Sequence, residues 1–279
     1  MIKLPGGNEL TGIRFGSMSE DSDTSSAPEL VCKTFFGRLN MCGRYWIDDT
    51  LEQRQIAEEM MRSALVDRWK DKAAVKTQGE IRPTDVVPVI APNRYGARTV
   101  YPMKWGYTGR SLLINARSET AAGKPTFRED WARHRCIVPA SWYFEWEHYL
   151  DKGGRKRTGD KYMIRPQGAD TAMNKGGAQG TALAMTMGSA QETALTMTKG
   201  NAYGTNPVMT WLCGLYRIEG GLPAFVILTR EPGEKIRFIH DRMPLIMPGE
   251  LVNEWIRPGA KPEELLPHAL TEMDFEKAL

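Results

Sequence analysis

The sequence predicts a single α+β domain, built on a mainly antiparallel, curved or barrel-like β-sheet with flanking helices. Predicted strands outnumber predicted helices, and the two do not alternate in the regular βαβ order of a doubly wound fold. Residues 1–41 lack a periodic apolar pattern, and residues 167–208 are almost uncharged and repetitive. Setting them aside leaves roughly 200 residues, which is enough for one domain with its own core.

The predicted elements follow from local patterns taken in chain order. Thr50 and Gln53 form a capping box, and apolar residues at helical spacing from Ile56 to Leu65 predict the first helix. Apolar runs separated by Gly, Pro or Asn predict short strands. These runs are residues 86–90, 98–103, 112–116, 136–139, 141–149, 162–165, 208–216, 223–229 and 243–247. Further helices are expected at 127–134, 232–239 and 250–256.

Composition excludes several classes of protein. Hydrophobic residues make up 41% of the chain and charged residues 25%, as in ordinary globular proteins. No apolar run reaches the ~18 residues of a membrane span, and no apolar signal segment lies near the N-terminus. The four cysteines form no CxxC pair, and no histidine lies at zinc-finger spacing from them. We therefore expect a cytoplasmic protein that needs no membrane, metal or cofactor.

The segment 167–208 is repetitive. Residues 167–202 consist of three tandem 12-residue units, QGADTAMNKGGA, QGTALAMTMGSA and QETALTMTKGNA. Units this short bury little apolar surface, and the closure entropy of a loop grows slowly with its length. We expect residues 167–208 to be a surface insertion that interrupts a domain at 42–279. A flap that binds a partner or covers a substrate is the alternative.

Four short segments carry residues suited to chemistry. Cys42 lies in MCGRY, although core packing is the ordinary role of a lone cysteine. Asn115 and Arg117 share one face of a predicted strand. Glu145 lies among four aromatic residues in WYFEW, so desolvation is expected to raise its pKa toward neutrality; an exposed strand carboxylate is the alternative. His240 follows a predicted helix, whose C-terminus would favour the protonated imidazole.

Together these segments resemble one known family, the SOS-response-associated peptidases (SRAP). The matching segments, in chain order, are MCGRY, RPT, INARSET, FR, RCIVPASWYFEW and FVILTREPGEKIRFIHDRMPLIM. The resemblance runs from Met41 to about Trp255 and leaves out the repeats. It implies that the protein recognises abasic sites in single-stranded DNA and attaches itself to them covalently through an N-terminal cysteine.

An internal cysteine cannot make this attachment. The amine of an N-terminal cysteine attacks the aldehyde of the opened abasic sugar to give an imine, and the thiol then closes a thiazolidine ring. Within the chain, Cys42 has an amide nitrogen instead. Translation could begin at Met41, whose removal exposes Cys42. Alternatively, residues 1–41 are a propeptide that is cut at the Met41–Cys42 bond, or the chain stays unprocessed.

The resemblance also implies roles for individual residues. Glu145 would act as acid and base in ring opening and imine formation, His240 would hold a sugar hydroxyl and move protons, and Asn115 would contact the opened sugar. The expected phosphate-binding residues are Arg44, Arg117, Arg128 and Arg242, and the expected base-stacking residues are Pro83 and Trp146. The histidines that match no family position, and are expected to be structural, are His134, His148 and His268.

Three functions remain open from the sequence. The first is covalent capture of abasic sites in single-stranded DNA by a monomeric protein, with hydrolase or lyase-like activity. The second is a thiol autopeptidase in which Cys42, Glu145 and His240 remove the N-terminal extension. The third is a noncatalytic module that binds single-stranded DNA. The mass of the mature protein, and any covalent shift with abasic DNA, would separate them.

Overall fold

Two β-sheets form the fold, and five strands of the larger sheet close into a barrel. The computed structural model describes residues 42–168 and 209–278. The predicted N-terminal extension, 1–41, and most of the predicted insertion, 169–208, lie outside the described residues. The strands are β1 (Arg44–Ile47), β2 (Gly79–Ile81), β3 (Val86–Pro92), β4 (Arg98–Trp105), β5 (Asn115–Arg117), β6 (Arg135–Ala140), β7 (Trp142–Leu150), β8 (Lys156–Pro166), β9 (Thr210–Glu219), β10 (Leu222–Arg230), β11 (Met243–Pro244), β12 (Ile246–Met247) and β13 (Met273–Lys277). The α-helices are α1 (Leu51–Met61), α2 (Leu65–Trp69), α3 (Ser118–Ala121), α4 (Arg128–Arg133), α5 (Val252–Ile256) and α6 (Pro262–Leu265).

The barrel consists of β4, β3, β6, β9 and β10, in that order around the ring. Neighbouring strands pair antiparallel, except that β10 and β4 pair in parallel. Strand β5 adds to β10 in parallel, while β11 pairs with β10 and β12 pairs with β9. The structure therefore confirms the predicted α+β class with a mainly antiparallel, barrel-like sheet.

The second sheet is open and antiparallel, with the order β13-β8-β7-β1-β2. The chain passes from the barrel into this sheet at Ser141, between β6 and β7. The backbone N–H of Ser141 donates to the carbonyl of Trp46 at 2.8 Å, and its hydroxyl accepts from the backbone N–H of Asp48 at 2.9 Å. These two bonds fix the start of β7 against the end of β1.

Barrel side chains alternate between two apolar cores. Along β10, Phe225 and Ile227 pack in a core shared with the second sheet, which includes Tyr143. Val226 and Leu228 pack in the other core, to which α1, α4 and α5 contribute. Strands that are buried on both faces need continuous apolar runs, which is why the sequence predicted them correctly.

Helix α1 begins as predicted, because the Thr50 hydroxyl accepts the backbone N–H of Gln53 at 3.2 Å. The predicted helix at 232–239 is wrong. This segment holds one 3₁₀ turn, Glu234–Ile236, without a capping side chain. The carbonyl of Ile239 accepts the backbone N–H of His148 on β7, so the segment bonds to the sheet beside it. None of the helices in the described ranges is both long and apolar enough to cross a membrane.

Replacing Gly214 with alanine should lower the free energy of unfolding by about 1–3 kcal/mol. A Cβ at this position would lie 2.8 Å from the carbonyl oxygen of Val226 and 2.9 Å from Sγ of Cys136, where barrel strands approach closely. Gly123→Ala is the matched control, since its Cβ would meet nothing closer than 3.8 Å, and should change stability by less than about 0.5 kcal/mol. Urea unfolding measures both, and equal stability of the two variants would contradict the close approach.

Candidate active site

The backbone nitrogen of Cys42 lies against a buried carboxylate. It donates to Oε2 of Glu145 at 2.7 Å, and the two residues are only 1% and 3% exposed. Strand register explains the contact: β1 pairs antiparallel with β7, with Arg44 opposite Phe144. Continuing this pairing toward the N-terminus places Gly43 opposite Glu145, which brings the adjacent Cys42 within reach of the Glu145 carboxylate. The two residues are 103 positions apart in sequence, so the contact depends on the fold.

Cys42 also has an unfavourable backbone conformation. Its φ is +40°, and within the described residues only Thr84 shares a positive φ among residues other than glycine. The left-handed region costs an L-residue with a side chain about 1–2 kcal/mol. Cys42 is thus a strained residue beside Glu145; we call the buried surroundings of these two residues the pocket.

Burial controls the protonation of Glu145. Desolvation raises its pKa to about 8, although the N–H groups of Cys42 and Trp146 donate to the carboxylate and partly oppose this rise. The negative charge of Asp241 adds to the increase. Glu145 therefore carries a proton at neutral pH and can donate it to an atom that enters the pocket.

His240 lies in the same pocket and is 5% exposed. Its Nδ1 lies 3.0 Å from the backbone nitrogen of Arg242 and 2.9 Å from Oδ1 of Asp241. Burial lowers the pKa of the imidazole. The sequence predicted that the protonated imidazole would be favoured instead, because it placed His240 at the C-terminus of a helix. That helix is a single 3₁₀ turn, so desolvation decides the shift instead.

His148, which the sequence assigned to structure alone, joins these residues. One possible ligand atom from each of Glu145, His148 and His240 lies within 4.8 Å of the others, and the two imidazole centroids are 5.0 Å apart. In a regular strand, positions 145 and 148 would face opposite sides. The pairing with β8 is bulged here, because between Trp146 and His148 the partner strand β8 carries one extra residue; such a bulge disrupts the regular ladder locally.

A signal for this bulge exists in the sequence. Gly159 lies inside β8, and a Cβ there would approach Oε2 of Glu147 to 2.7 Å. A glycine within a strand often marks a bulge or a close approach. Of the described side chains, those of Glu145, His148 and His240 are the group whose geometry could hold a metal ion.

A cationic group borders the pocket on the second sheet. Arg44, Arg82 and Lys161 each contact the carboxylate of Glu80, at 2.8, 3.0 and 2.9 Å; we call these four residues the Glu80 cluster. Partial burial alone would raise the pKa of Glu80, but hydrogen bonds from Lys161 and Arg82 outweigh it and lower the pKa. The cluster leaves a net positive surface.

Aromatic rings adjoin the Glu80 cluster. The Lys161 ammonium lies 3.8 Å from the ring centroid of Phe144 and 5.4 Å from that of Trp146. Trp146 and Pro83 are both half-buried, and Pro83 directly follows Arg82. Cations next to partly exposed rings suit a strand of nucleotides, in which phosphates alternate with bases.

The other predicted site residues divide into two groups. Arg117 and Arg128 are exposed, and Asn115 is half-buried on β5, opposite Ile227 of β10. Arg242 differs from the expectation of a phosphate contact, because it is 8% exposed. Its two terminal nitrogens each lie 2.8 Å from a carboxylate oxygen of Glu119. Arg242 therefore holds the loop after His240 in place.

Known proteins resemble this chain in sequence. It is 29% identical over 257 residues to the abasic site processing protein YobE of Bacillus subtilis (strain 168), an alignment that covers 85% of this chain and 91% of that protein. It is 25% identical over 257 residues to YoaM of the same organism, with 85% and 88% covered. It is 28% identical over 166 residues to YedK of Escherichia coli (strain K12), with 56% of this chain and 54% of that protein covered.

Solved structures share the fold. A protein from Bacteroides thetaiotaomicron matches with a TM-score of 0.54 and 19% identity, over 85% of this chain and 92% of that protein. A phage-related protein from Bordetella bronchiseptica matches with a TM-score of 0.55 and 20% identity, over 85% of this chain and 94% of that protein. At these identities the matches show a common architecture.

A family model matches the part of the chain that contains the pocket. The match covers residues 41–278, and its description is SOS response associated peptidase (SRAP). It begins one residue before Cys42 and includes Glu145, His148, His240 and the Glu80 cluster. The chain belongs to the SOS response associated peptidase (SRAP) family.

Proposed function

We propose that this protein captures abasic sites in single-stranded DNA as a covalent thiazolidine, through Cys42 once that residue is N-terminal. The observation that carries the proposal is the 2.7 Å contact between the nitrogen of Cys42 and the buried carboxylate of Glu145. Free of residue 41, this nitrogen is an amine beside a group that can donate and accept a proton. The relatives named abasic site processing proteins support the choice of substrate.

The reaction needs no oxidant and no cofactor. The amine of Cys42 adds to the aldehyde carbon of the opened sugar, giving a hemiaminal. Glu145 protonates the hydroxyl that leaves as water, and a C=N bond forms. The thiol then adds to the imine carbon, and its proton passes to the nitrogen. One C–N and one C–S bond form, and one water is released for each sugar captured.

His240 and the borders of the pocket position the sugar. Burial keeps the His240 imidazole neutral at pH 7, so it can hydrogen-bond a sugar hydroxyl without adding charge. Asn115 would contact the opened sugar. Arg44, Arg117 and Arg128 would bind phosphates, and Trp146 and Pro83 would stack on neighbouring bases.

A second candidate activity is removal of the N-terminal extension by the protein itself. The strained φ of Cys42 favours it, because breaking the preceding bond releases the strain. The thiol of Cys42 would attack the carbonyl of Met41, and the C–N bond would break as Glu145 protonates the leaving nitrogen. Water would then hydrolyse the thioester, giving the carboxyl group of Met41 and the free thiol.

The mass of the purified protein tests both proposals. If the protein removes its own extension, a chain expressed at full length should lose residues 1–41, and the Cys42→Ala variant should keep them. A further covalent mass increase with an abasic oligonucleotide, absent with an intact one, is expected of capture. Processed protein that gains no mass from abasic DNA would overturn capture, and equal processing of Cys42→Ala would overturn self-removal.

Phosphate-binding arginines should be distinguishable from structural ones. Replacing Arg44, Arg117 or Arg128 with alanine should weaken noncovalent binding to intact single-stranded DNA and reduce the log–log salt slope by about 0.7 for each phosphate that is no longer bound. Arg242→Ala should instead lower the free energy of unfolding by about 1–3 kcal/mol, since it leaves buried hydrogen-bond partners unpaired. Binding titrations at several salt concentrations, with urea unfolding alongside, measure both effects.

Arg62→Ala, at an exposed position after α1, is the control for charge alone. It should change neither the salt slope nor the stability. If Arg242→Ala lowers the salt slope while its stability stays unchanged, then Arg242 binds phosphate in spite of its ion pair with Glu119.

A further inference from the structure

The pocket contains a set of side chains that the thiazolidine reaction does not need in full. Glu145, His148 and His240 bring one carboxylate and two imidazoles within 4.8 Å of one another. Two imidazoles and a carboxylate are a donor set that proteins use to bind zinc and similar divalent cations. His148 has no part in the reaction proposed above, so its presence in this group calls for a separate explanation.

His240 is arranged as a coordinating histidine would be. Its Nε2 is buried and has no hydrogen-bond partner among the residues that the structure describes. On the other side of the ring, Nδ1 accepts the backbone N–H of Arg242 at 3.0 Å and lies 2.9 Å from Oδ1 of Asp241. Histidines that bind a metal through one nitrogen usually donate the other N–H to a carboxylate, which fixes the ring and its tautomer. Asp241 can play that part when the proton sits on Nδ1, in place of the hydrogen bond that Nδ1 accepts from the backbone N–H of Arg242.

The backbone holds His148 in register with His240. The backbone N–H of His148 donates to the carbonyl of Ile239 at 3.1 Å, which joins β7 to the residue before His240. The register shift between β7 and β8 lies directly before His148, whose possible ligand atom lies within 4.8 Å of those of Glu145 and His240. The three ligands thus come from two backbone segments that are hydrogen-bonded to each other.

We propose that Glu145, His148 and His240 bind a divalent cation of the zinc class, and that the bound cation prevents capture of the abasic sugar. Ligand atoms around a tetrahedral zinc ion lie about 3.3–3.5 Å apart, so the three side chains must approach one another slightly. The inhibitory half of this proposal rests on the proposed function, because the cation and the reaction compete for Glu145 and His240. The binding half does not.

Calorimetric titration of zinc chloride into the protein that begins at Cys42, freed of metal with EDTA and then desalted, tests the binding. We expect one zinc ion per chain. His148→Ala should weaken binding at least tenfold, and Asp241→Asn should weaken it by about 10–100-fold. His134→Ala is the matched control, since His134 also lies 2.9 Å from a carboxylate, that of Asp130, but outside the pocket. It should bind zinc like the parent protein.

Two variants keep the binding test decisive. An N-terminal cysteine can itself chelate zinc, so Cys42→Ala is titrated as well and should retain the site. If Cys42→Ala loses all binding, or if His148→Ala binds as tightly as the parent, the proposed ligand set is wrong. His148→Asn gives the same comparison should the alanine variant fail to fold. The visible absorption of bound Co²⁺ provides a second reading of the ligands.

Adduct formation with an abasic oligonucleotide tests the inhibition. Zinc at saturating concentration should prevent adduct formation by the parent protein, and EDTA should restore adduct formation. The His148→Ala variant should form the adduct equally well in zinc and in EDTA. Undiminished adduct formation by the zinc-saturated parent would overturn the competition. If the parent forms no adduct even in EDTA, the proposed function fails, and the zinc titration still decides the metal site.

Discussion

A protein that begins at Cys42 should form a heat-stable adduct with an abasic single-stranded oligonucleotide, and Cys42→Ala should form none. The thiol closes the ring that makes the linkage stable, so its removal leaves at most an imine that water reverses. Denaturing electrophoresis after heating measures the adduct. We expect loss to the detection limit, the largest effect of any single change in this protein.

Two further variants separate the amine from the thiol. Cys42→Ser keeps the amine, so it should give an adduct that survives heating only after borohydride reduction of the imine. A chain that keeps residues 1–41 and cannot be cut has an amide nitrogen at Cys42 and should bind only reversibly. Equal crosslinking by this uncut chain would contradict the aminothiol mechanism.

Glu145→Gln should slow adduct formation by about 10²–10⁴-fold, the usual contribution of a positioned acid or base. Glutamine keeps the shape and most hydrogen bonds of the side chain, so affinity for intact single-stranded DNA should change little. Rates at saturating abasic DNA, compared with affinities for intact DNA, separate the two effects. Lower affinity with an unchanged rate would show that Glu145 only shapes the pocket.

The same carboxyl makes stability depend on pH. Its pKa is raised to about 8 in the folded chain, so the folded state holds this proton more tightly than the unfolded state does. The stabilisation is complete below the unfolded pKa, near 4.5, and is lost as pH rises through about 8. Full-length Cys42→Ala should therefore lose more stability between pH 5 and pH 8 than the same protein with Glu145→Gln. Parallel urea curves at the two pH values would contradict the raised pKa.

The barrel could be predicted because its strands are buried on both faces and therefore consist of apolar runs, as β3 and β10 do. Strand β2 has three residues, and β13 carries charge at Asp274 and Glu276, so neither showed a clear pattern. The helix predicted at 232–239 failed for another reason. Ile236 and Ile239 are both buried at a spacing of three, which a single 3₁₀ turn accommodates.

The candidate site was predictable in part. The aromatic neighbours of Glu145 indicated a raised pKa, whereas the role of Cys42 came from the family resemblance. No local pattern shows that β1 pairs with β7, which brings these two residues together. The position of His148 near Glu145 could not be predicted, because residues 145 and 148 face opposite sides of a regular strand. The phosphate-binding role predicted for Arg242 stays a prediction, and its burial against Glu119 could not be foreseen, because a sequence does not show which arginines are buried against a carboxylate.

The distance in sequence between the parts of the pocket has a consequence during synthesis. Cys42 meets Glu145 across 103 positions, and His240 lies almost as far again along the chain. At about 5–20 residues per second, roughly 10–40 seconds pass between the synthesis of Cys42 and that of His240. If translation begins at Met41, the newborn chain presents an exposed aminothiol for the part of this interval that follows removal of Met41. Small aldehydes in the cell can react with this aminothiol before the barrel closes, so rapid folding protects the nucleophile.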